Sequence, residues 1–468
     1  MKKILYLPLF LFVVLLSCVL VFSSCDGDRP SDQTTNTKDP SQTDSSAGNT
    51  EKPIAPVEAV GLKYTVGTDK KTCTVTGIGT CKAPAIIISE YIDGYQVVAI
   101  GASAFKNCES LISVSIPSSV KTIGKNAFEN CDSLKEIALS EGLLTIERYA
   151  FENCVSLTDI PLPATLTTIG AYAFKGCASL TEMTVPASVT AIGKEIFNKA
   201  ANLSTVYYNS PYGSSGNDFL NTKSITKIVF GGESVPEFIC KKCENLKEVH
   251  IEDTVKFIGG GAFSLCSSLE EITVPDSVVS IGYGAFSFCE SLIDVTLPEG
   301  LSAISDSTFQ NCAALDNITI PEGVSSIGRE AFLGCSSLTS VTLPQTLTHL
   351  DDGAFRNCSA LTDVTIPDGI KKIPFEAFKK CTALTSIILP SGIEAIEEWA
   401  FSYAGLKTIY FRGSEEEWNA VKKEFGWNNG MRDYEILCKK AESSSDTAEN
   451  GESETKSQFF AKAENDFA

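Results

Sequence analysis

Histidine is almost missing from this chain: His250 and His349 are the only two in 468 residues. General acid–base and nucleophilic catalysis lean on histidine more than on any other side chain. Neither histidine stands in a catalytic pattern. His250 falls on a predicted strand and His349 precedes Leu350 in a predicted turn. No H-E-x-x-H, no P-loop and no G-x-G-x-x-G after a predicted strand occurs. A basic stripe is lacking too. The 58 acidic residues outnumber 38 basic ones, for a net charge of −20. That balance disfavours nucleic acid, whose phosphates need clustered Lys and Arg, and it favours cationic partners or divalent ions. Paired Cys-x-x-Cys modules of the zinc kind are absent: Cys240 and Cys243 have the spacing of one half-site, with no second half. No cofactor and no metal is expected, and the reading is a non-catalytic binding scaffold.

What is present is a period. Phenylalanine returns with a period of 23, as Phe105, Phe128, Phe151, Phe174 and Phe197, and again from Phe263 through Phe286, Phe309, Phe332, Phe355, Phe378 and Phe401. Leucine follows six residues later (Leu111, Leu134, Leu157, Leu180), and aliphatic residues follow at fixed offsets beyond it. A unit this short cannot bury its own apolar face, whereas stacked copies can, so the period predicts a solenoid. The step from Phe197 to Phe263 is not a multiple of 23. The register returns if Phe219 and Cys240 take the Phe place in repeats shortened by one and two residues. The count is then fourteen repeats, two of them degenerate.

Eleven of the seventeen cysteines sit three residues after the Phe position, from Cys108 to Cys381. A residue fixed at one repeat position stacks on its equivalents, and a free Cys there behaves as a small hydrophobe. Ala200 and Ala404 take the same place in two repeats. These cysteines are therefore expected to be buried and reduced. Cys73 and Cys81 lie outside the repeats, flanking a predicted hairpin, and are the best-placed candidates for a disulfide.

The N-terminus reads as an export signal over residues 1–24: Lys2 and Lys3, an apolar run from Ile4 to Phe22, then Ser23-Ser24-Cys25. Small residues before a Cys resemble the bacterial lipobox, in which Cys25 would be acylated and become the new N-terminus. Phe22 stands where that pattern usually has Leu, Cys18 matches more loosely, and cleavage near Ser24 with secretion is the other reading. Residues 25–57 are polar and read as a disordered tether, and residues 439–468 as a disordered acidic tail with one apolar pair, Phe459-Phe460.

Within one repeat, Val114-Ser115-Ile116 alternates as a short strand, Pro117 ends it, and Gly124 to Cys131 is expected to form a short helical turn. Stacked, the strands would make a parallel sheet on one face and the helical turns a wall on the other. The repeated pattern I-G-x-x-A-F-x-x-C-x-S-L-x-x-V-x-I-P resembles the 23-residue BspA-like class of leucine-rich repeat, known from bacterial surface proteins. The resemblance covers about residues 62–438. It lacks the asparagine ladder of other leucine-rich proteins, with Ser119, Gly142, Thr165 and Gly323 at that place. It implies a β-rich N-terminal cap over 58–95, repeats over 96–406 that are irregular at about 200–245, and a C-terminal cap over 407–438 that Trp418 would close.

Two places could meet a ligand. The outward strand column runs Ser113, Glu136, Asp159, Glu182, Thr205, Lys227, Glu248, Glu271, Asp294, Asn317, Ser340, Asp363, Ser386. Glu248, Glu271 and Asp294 would form a ladder of like charges, either a track for cations, amino sugars or basic peptides or simply a solvated polar face. The degenerate middle offers Tyr207, Tyr208 and Tyr212 among Ser, Asn and Gly, a composition suited to recognition or to a decayed repeat. The resemblance implies adhesion or binding to a host or environmental protein or glycan at the cell envelope, with the membrane reached through the lipid. A passive surface spacer and a polysaccharide-holding accessory to surface enzymes are the other readings.

Overall fold

The computed structural model describes residues 54–213 and 223–439. The leader, Cys25, most of the tether and nearly all of the tail lie outside the described residues, as does Phe219. The chain winds into stacked coils, and the regular coils contribute two short strands rather than one, except that the first strand shrinks to a single bridge at Asp159. The first is the expected strand, as in Ser113–Ser115 and Glu136–Ala138; the second follows the proline turn, as in Thr122–Ile123 and Thr145–Ile146. Both columns pair in parallel with their equivalents one coil away: Ser113 opposite Glu136, Thr122 opposite Thr145. Val120 and Ile123, on either side of the bend, are buried.

The expected helical turns are not helices. Among the described residues the sole α-helix is Glu415–Ala420, in the final coil. The segment from Gly124 to Cys131 is a run of tight turns: Ala127 N–H donates to the Gly124 carbonyl (3.1 Å) and Cys131 N–H to Phe128 (3.2 Å). Asn126 and Asn130 between them have φ of 58° and 59°. A left-handed residue every fourth position tips the intervening amides along the coil axis. Phe105 N–H then donates to Ala127 of the next coil (2.7 Å), and Asn107 N–H to Glu129 (2.8 Å). An α-helix would keep these groups for itself. Here they form a third ladder, which ties neighbouring coils together on the turn face. Asn tolerates the left-handed region better than most residues, and its side chain adds a bond between coils. Asn130 Nδ2 donates to Asn107 Oδ1, and Asn153 Nδ2 to Asn130 Oδ1, each at 2.9 Å. A short asparagine ladder does exist, on the turn face of the early coils.

The core is one continuous column. Phe105, Phe128, Phe151 and Phe174 stack nearly parallel at 5.1–5.6 Å, and Phe263 to Phe401 do the same at 5.2–5.7 Å. Beside them run the repeat cysteines, free and all buried except Cys108, which is half-buried. Each thiol from Cys131 to Cys177 and from Cys266 to Cys381 donates to a carbonyl in the preceding coil. Examples are Cys131 to Phe105 (3.1 Å) and Cys312 to Phe286 (3.2 Å). That carbonyl also accepts the backbone N–H three residues on, as from Cys108 N–H to Phe105 (3.1 Å), so the thiol adds a second bond, between coils. The cysteine is thus a small hydrophobe that also supplies a weak donor.

The irregular middle keeps register. Thr205 pairs with Lys227 and Lys227 with Glu248, so these two coils are shorter than the regular one by one and two residues. With Cys240 at the Phe place, aromatic volume is restored from the strand side. Tyr208 packs against Phe230 (6.1 Å between ring centres) and Phe230 against Phe263 (5.9 Å), both edge to face.

At the N-terminal end, Lys63–Val66 and Thr72–Gly77 form an antiparallel hairpin whose second strand runs parallel to Tyr95–Ile100. Both strands precede Cys81. Cys73 therefore lies inside the hairpin, facing the core, and Cys81 beyond it; both thiols are free, which corrects the disulfide expectation. At the other end Ser414 caps the helix, its Oγ accepting from Glu417 N–H (3.2 Å) while Glu417 accepts from Ser414 N–H (2.8 Å). That capping box orients Trp418 onto Phe411 (5.4 Å) and Trp427 (6.4 Å), and Trp427 packs edge-on against Phe401 (6.2 Å).

Candidate functional site

Alternation along each strand decides which side chains reach solvent. In Thr205–Tyr208, Val206 and Tyr208 face the core, while Thr205 and Tyr207 face out. Tyr208 is 0% exposed, Tyr207 37% and Tyr212 52%. Tyr208 is therefore no ligand contact: it packs in the core against Phe230, in the coil where Cys240 replaces the repeat Phe, and its hydroxyl donates to the Tyr212 carbonyl. A sequence signal for this exists, because Tyr208 stands one full repeat after the inward Val185. Tyr212 lies beyond the strand, on a bend held by buried Ser210. Ser210 Oγ donates to the Val189 carbonyl (2.8 Å) and accepts from Tyr212 N–H (3.0 Å).

Register joins the two sequence candidates into one surface. Thr184 pairs with Tyr207, Tyr207 with Val229 and Val229 with His250. On either side this outward column is threonine, at Thr184 and at Thr273, Thr296, Thr319, Thr342 and Thr365, while the outer coils hold Ser115 and Ala138 at one end and Ile388 and Tyr410 at the other. In the degenerate coils it becomes an aromatic, an aliphatic and an imidazole. The adjoining column holds Glu182, Thr205, Lys227 and Glu248 in consecutive register, and Glu271 pairs with Asp294. Glu248, His250, Glu271, Thr273 and Asp294 line one shallow depression of about 230 Å³, with Lys247 at its rim.

The ladder of like charges is real, and it is relieved at one end. Lys227 bonds the Glu248 carboxylate, and the His250 ring lies 3.3 Å from Glu252. Glu271 and Asp294 stay exposed and make no ion pair among the described residues. Chemically the surface offers acceptors for cationic donors, one half-exposed aromatic ring and a row of hydroxyls. His250 meets Glu252, and His349 Nδ1 lies 2.9 Å from the Thr348 hydroxyl. Among the described residues no nucleophile, base and orienting acid come together, and no cluster of three or more His, Cys, Asp or Glu is placed to hold a metal ion. No helix among them is long and apolar enough to cross a membrane. The proposed lipid site, Cys25, is outside the described residues.

Comparison with known proteins agrees with this architecture. A leucine-rich repeat protein from Bacteroides ovatus is 25% identical, covering 83% of this chain and 100% of its own, with a TM-score of 0.56. A leucine rich cell surface protein from Faecalibacterium prausnitzii is 25% identical over 80% of this chain and 98% of its own, with a TM-score of 0.33. The pneumococcal vaccine antigen PcpA is 18% identical over 83% and 99%, with a TM-score of 0.35. No curated protein matches. The family model described as a BspA type leucine rich repeat region matches residues 98–226, 215–317 and 302–420, most of the repeat array. With the 23-residue coil, the stacked Phe column and this match together, the chain belongs to the BspA-type leucine-rich repeat family.

Proposed function

We propose that this protein is a non-catalytic binding or adhesion protein of the bacterial cell surface, tethered through an acylated Cys25. Its outward strand face would take a protein or glycan ligand at the host or in the environment. The observation that supports this most directly is the row Tyr207, Val229, His250 interrupting the threonines between Thr184 and Thr273 on the outward strand face, beside exposed carboxylates. Family membership points to a surface or interaction role, and an aromatic set among adaptable polar groups suits recognition.

Capture of matrix proteins and glycans by the mature chain would identify the ligand. Tyr207→Ser with Tyr212→Ser is then expected to weaken its binding at least about tenfold, equivalent to about 1.4 kcal/mol. Interface energy concentrates in a few aromatic and Arg residues. Glu248→Gln with Glu271→Gln should change mainly the association rate and its salt dependence, as read by surface plasmon resonance at two ionic strengths. Loss on the carboxylate pair alone would point to a cationic ligand. A broad screen that captures nothing would favour a passive surface spacer.

Anchoring has its own test. One acyl chain holds a membrane only marginally, so stable attachment needs more than one. Cys25→Ser keeps the export signal but removes the sulfur that receives lipid. The variant is expected to accumulate as precursor or appear in the medium while the parent sediments with membranes. Membrane fractionation that is unchanged, with no acylated N-terminal peptide by mass spectrometry, would speak against lipidation.

A further inference from the structure

The turn face carries a second surface that the strand-face reading does not use. Its third ladder places one left-handed residue per coil in a column: Ser103, Asn126, Tyr149, Tyr172, Glu195, then Phe238, Gly261, Gly284 and Ser307 further on. Nothing in the backbone asks for an aromatic there. The left-handed region disfavours any residue with a Cβ, bulky ones most, and most other coils use Asn, Gly, Ser or Glu, with single aromatics at Phe238 and Trp399. Nor does the core require one, because Phe151 and Phe174 already fill it. Yet Tyr149 and Tyr172, both at φ 60°, stack on neighbouring coils at 5.1 Å and 15° between planes.

Cations gather on this pair, in a chain of net charge −20. The Arg148 guanidinium lies 4.6 Å from the Tyr149 ring centre and 5.5 Å from that of Tyr172. Lys175 lies 5.9 and 5.8 Å from the two, and Lys194 lies 5.8 Å from Tyr172. The carboxylates nearby are already engaged. Glu152 holds Lys175 (2.7 Å), Glu147 accepts from Lys125 N–H (2.8 Å), and Glu195 accepts from Tyr172 OH (3.1 Å) and Asn198 Nδ2 (2.7 Å). Arg148 and Lys194 are exposed and have no carboxylate partner among the described residues; Arg148 donates only to Tyr149 OH (2.8 Å).

We propose that Tyr149, Tyr172, Arg148, Lys175 and Lys194 form a binding station for an acidic polysaccharide, a chain of uronate units lying along the coil axis. Arg148, Lys175 and Lys194 come from three successive coils, and coils repeat at about 4.8 Å. That spacing is close to the length of one pyranose unit; Arg148 and Lys194, two coils apart and without a carboxylate partner, can meet alternate uronates of the chain, with Lys175, held by Glu152, between them. An extended acidic peptide advances about 3.3 Å per residue and falls out of step. The guanidinium lies over the Tyr149 ring with one nitrogen on the Tyr149 hydroxyl, which leaves its other N–H groups for a carboxylate.

The test uses the mature chain and purified oligogalacturonate, titrated calorimetrically at low and physiological salt. Binding is expected, weaker at higher salt, and lost with the methyl-esterified oligomer. Arg148→Ser with Lys194→Ser should weaken it at least tenfold. Tyr149→Gly with Tyr172→Gly should also weaken it while the melting temperature stays level or rises, because glycine is at ease in the left-handed region. Glu248→Gln with Glu271→Gln on the strand face should leave it unchanged, which separates this station from the surface proposed above. No binding at low salt, full affinity in both variants, or equal binding of the esterified oligomer would overturn the proposal. Equal binding of poly-glutamate with the same losses would overturn it in favour of an acidic peptide partner.

Discussion

Raising the pH above about 9 is expected to unfold this protein cooperatively, long before the backbone itself is challenged. The cause is the thiol column. Burial pushes the thiols of Cys131, Cys177, Cys289, Cys335 and Cys381 up to about 12, from an ordinary value of 9.0. Burial raises Cys154, Cys240, Cys266, Cys312 and Cys358 well above it too. A group whose pKa is raised in the folded state contributes stability that is complete below the unfolded value. That stability is lost as the pH climbs from the unfolded value through the folded one. Between the two, each such thiol is charged only in the unfolded chain and costs about 1.4 kcal/mol per pH unit. Ten acting together lose on the order of 14 kcal/mol per unit, as much as the whole stability of a typical domain. Ultraviolet thiolate absorbance and near-ultraviolet circular dichroism should therefore change together in one step, a unit or so above pH 9. Cys289→Ala with Cys312→Ala should move that step to higher pH, since Ala200 and Ala404 already serve at this position. At neutral pH a thiol reagent should label few repeat cysteines until denaturant is added. Thiolates that titrate near pH 9 with the dichroism unchanged would show an accessible column, and repeat-to-repeat disulfides found by mass mapping would contradict it outright.

The sequence carries much of this architecture because a repeat protein shows the same decision many times. Phe105 alone says little; twelve Phe residues on a 23-residue beat leave one solution, and even the shortened coils could be registered from Phe219 and Cys240. The outward column from Ser113 to Ser386 was readable for the same reason, since period-2 alternation within a strand fixes each face. What escaped was any feature that depends on a partner in another coil. The cysteine column was legible as burial, but its hydrogen bonds end on carbonyls one coil back, which no local pattern reports. The turn face looks helical in sequence because Ala127, Phe128 and Cys131 space like one helical face; the left-handed Asn126 and Asn130 decide otherwise by turning amides toward the next coil. Tyr207 and Tyr208 read as a matched pair of contacts, and adjacency in a strand puts them on opposite sides. The second strand of each coil is only two residues long, too short for alternation to announce it. Arg148, Lys175 and Lys194 are scattered in sequence and meet only when coils stack.

Phe286→Ala should be the most damaging single substitution of its kind, at about 3–5 kcal/mol. Phe286 is fully buried, stacked between Phe263 (5.5 Å) and Phe309 (5.6 Å), with its planes within 4° and 7° of theirs. Truncation removes the ring's own burial and two aromatic contacts, each worth about 0.5–1.5 kcal/mol beyond area. It leaves a cavity between rigid ladders that cannot close in. The backbone bonds survive: Phe286 N–H still reaches the Thr308 carbonyl (2.9 Å), and Cys312 still donates to residue 286 (3.2 Å). The damage should therefore stay local. In a solenoid each coil contacts only its neighbours, so amide exchange should quicken first from about Phe263 to Phe309 and hardly at all near Phe128. Uniform loss of protection along the array would contradict this. The irregular middle supplies the control, because nature has already put Cys240 at the Phe place with Phe230 and Tyr208 filling from the strand side. Val274 holds the place of Phe230 in the coil of Phe286, inward and buried. Phe286→Cys alone should cost nearly as much as the alanine change. Adding Val274→Phe should recover a measurable part of the melting temperature, if volume delivered from the strand face is what lets the Cys240 coil dispense with its phenylalanine.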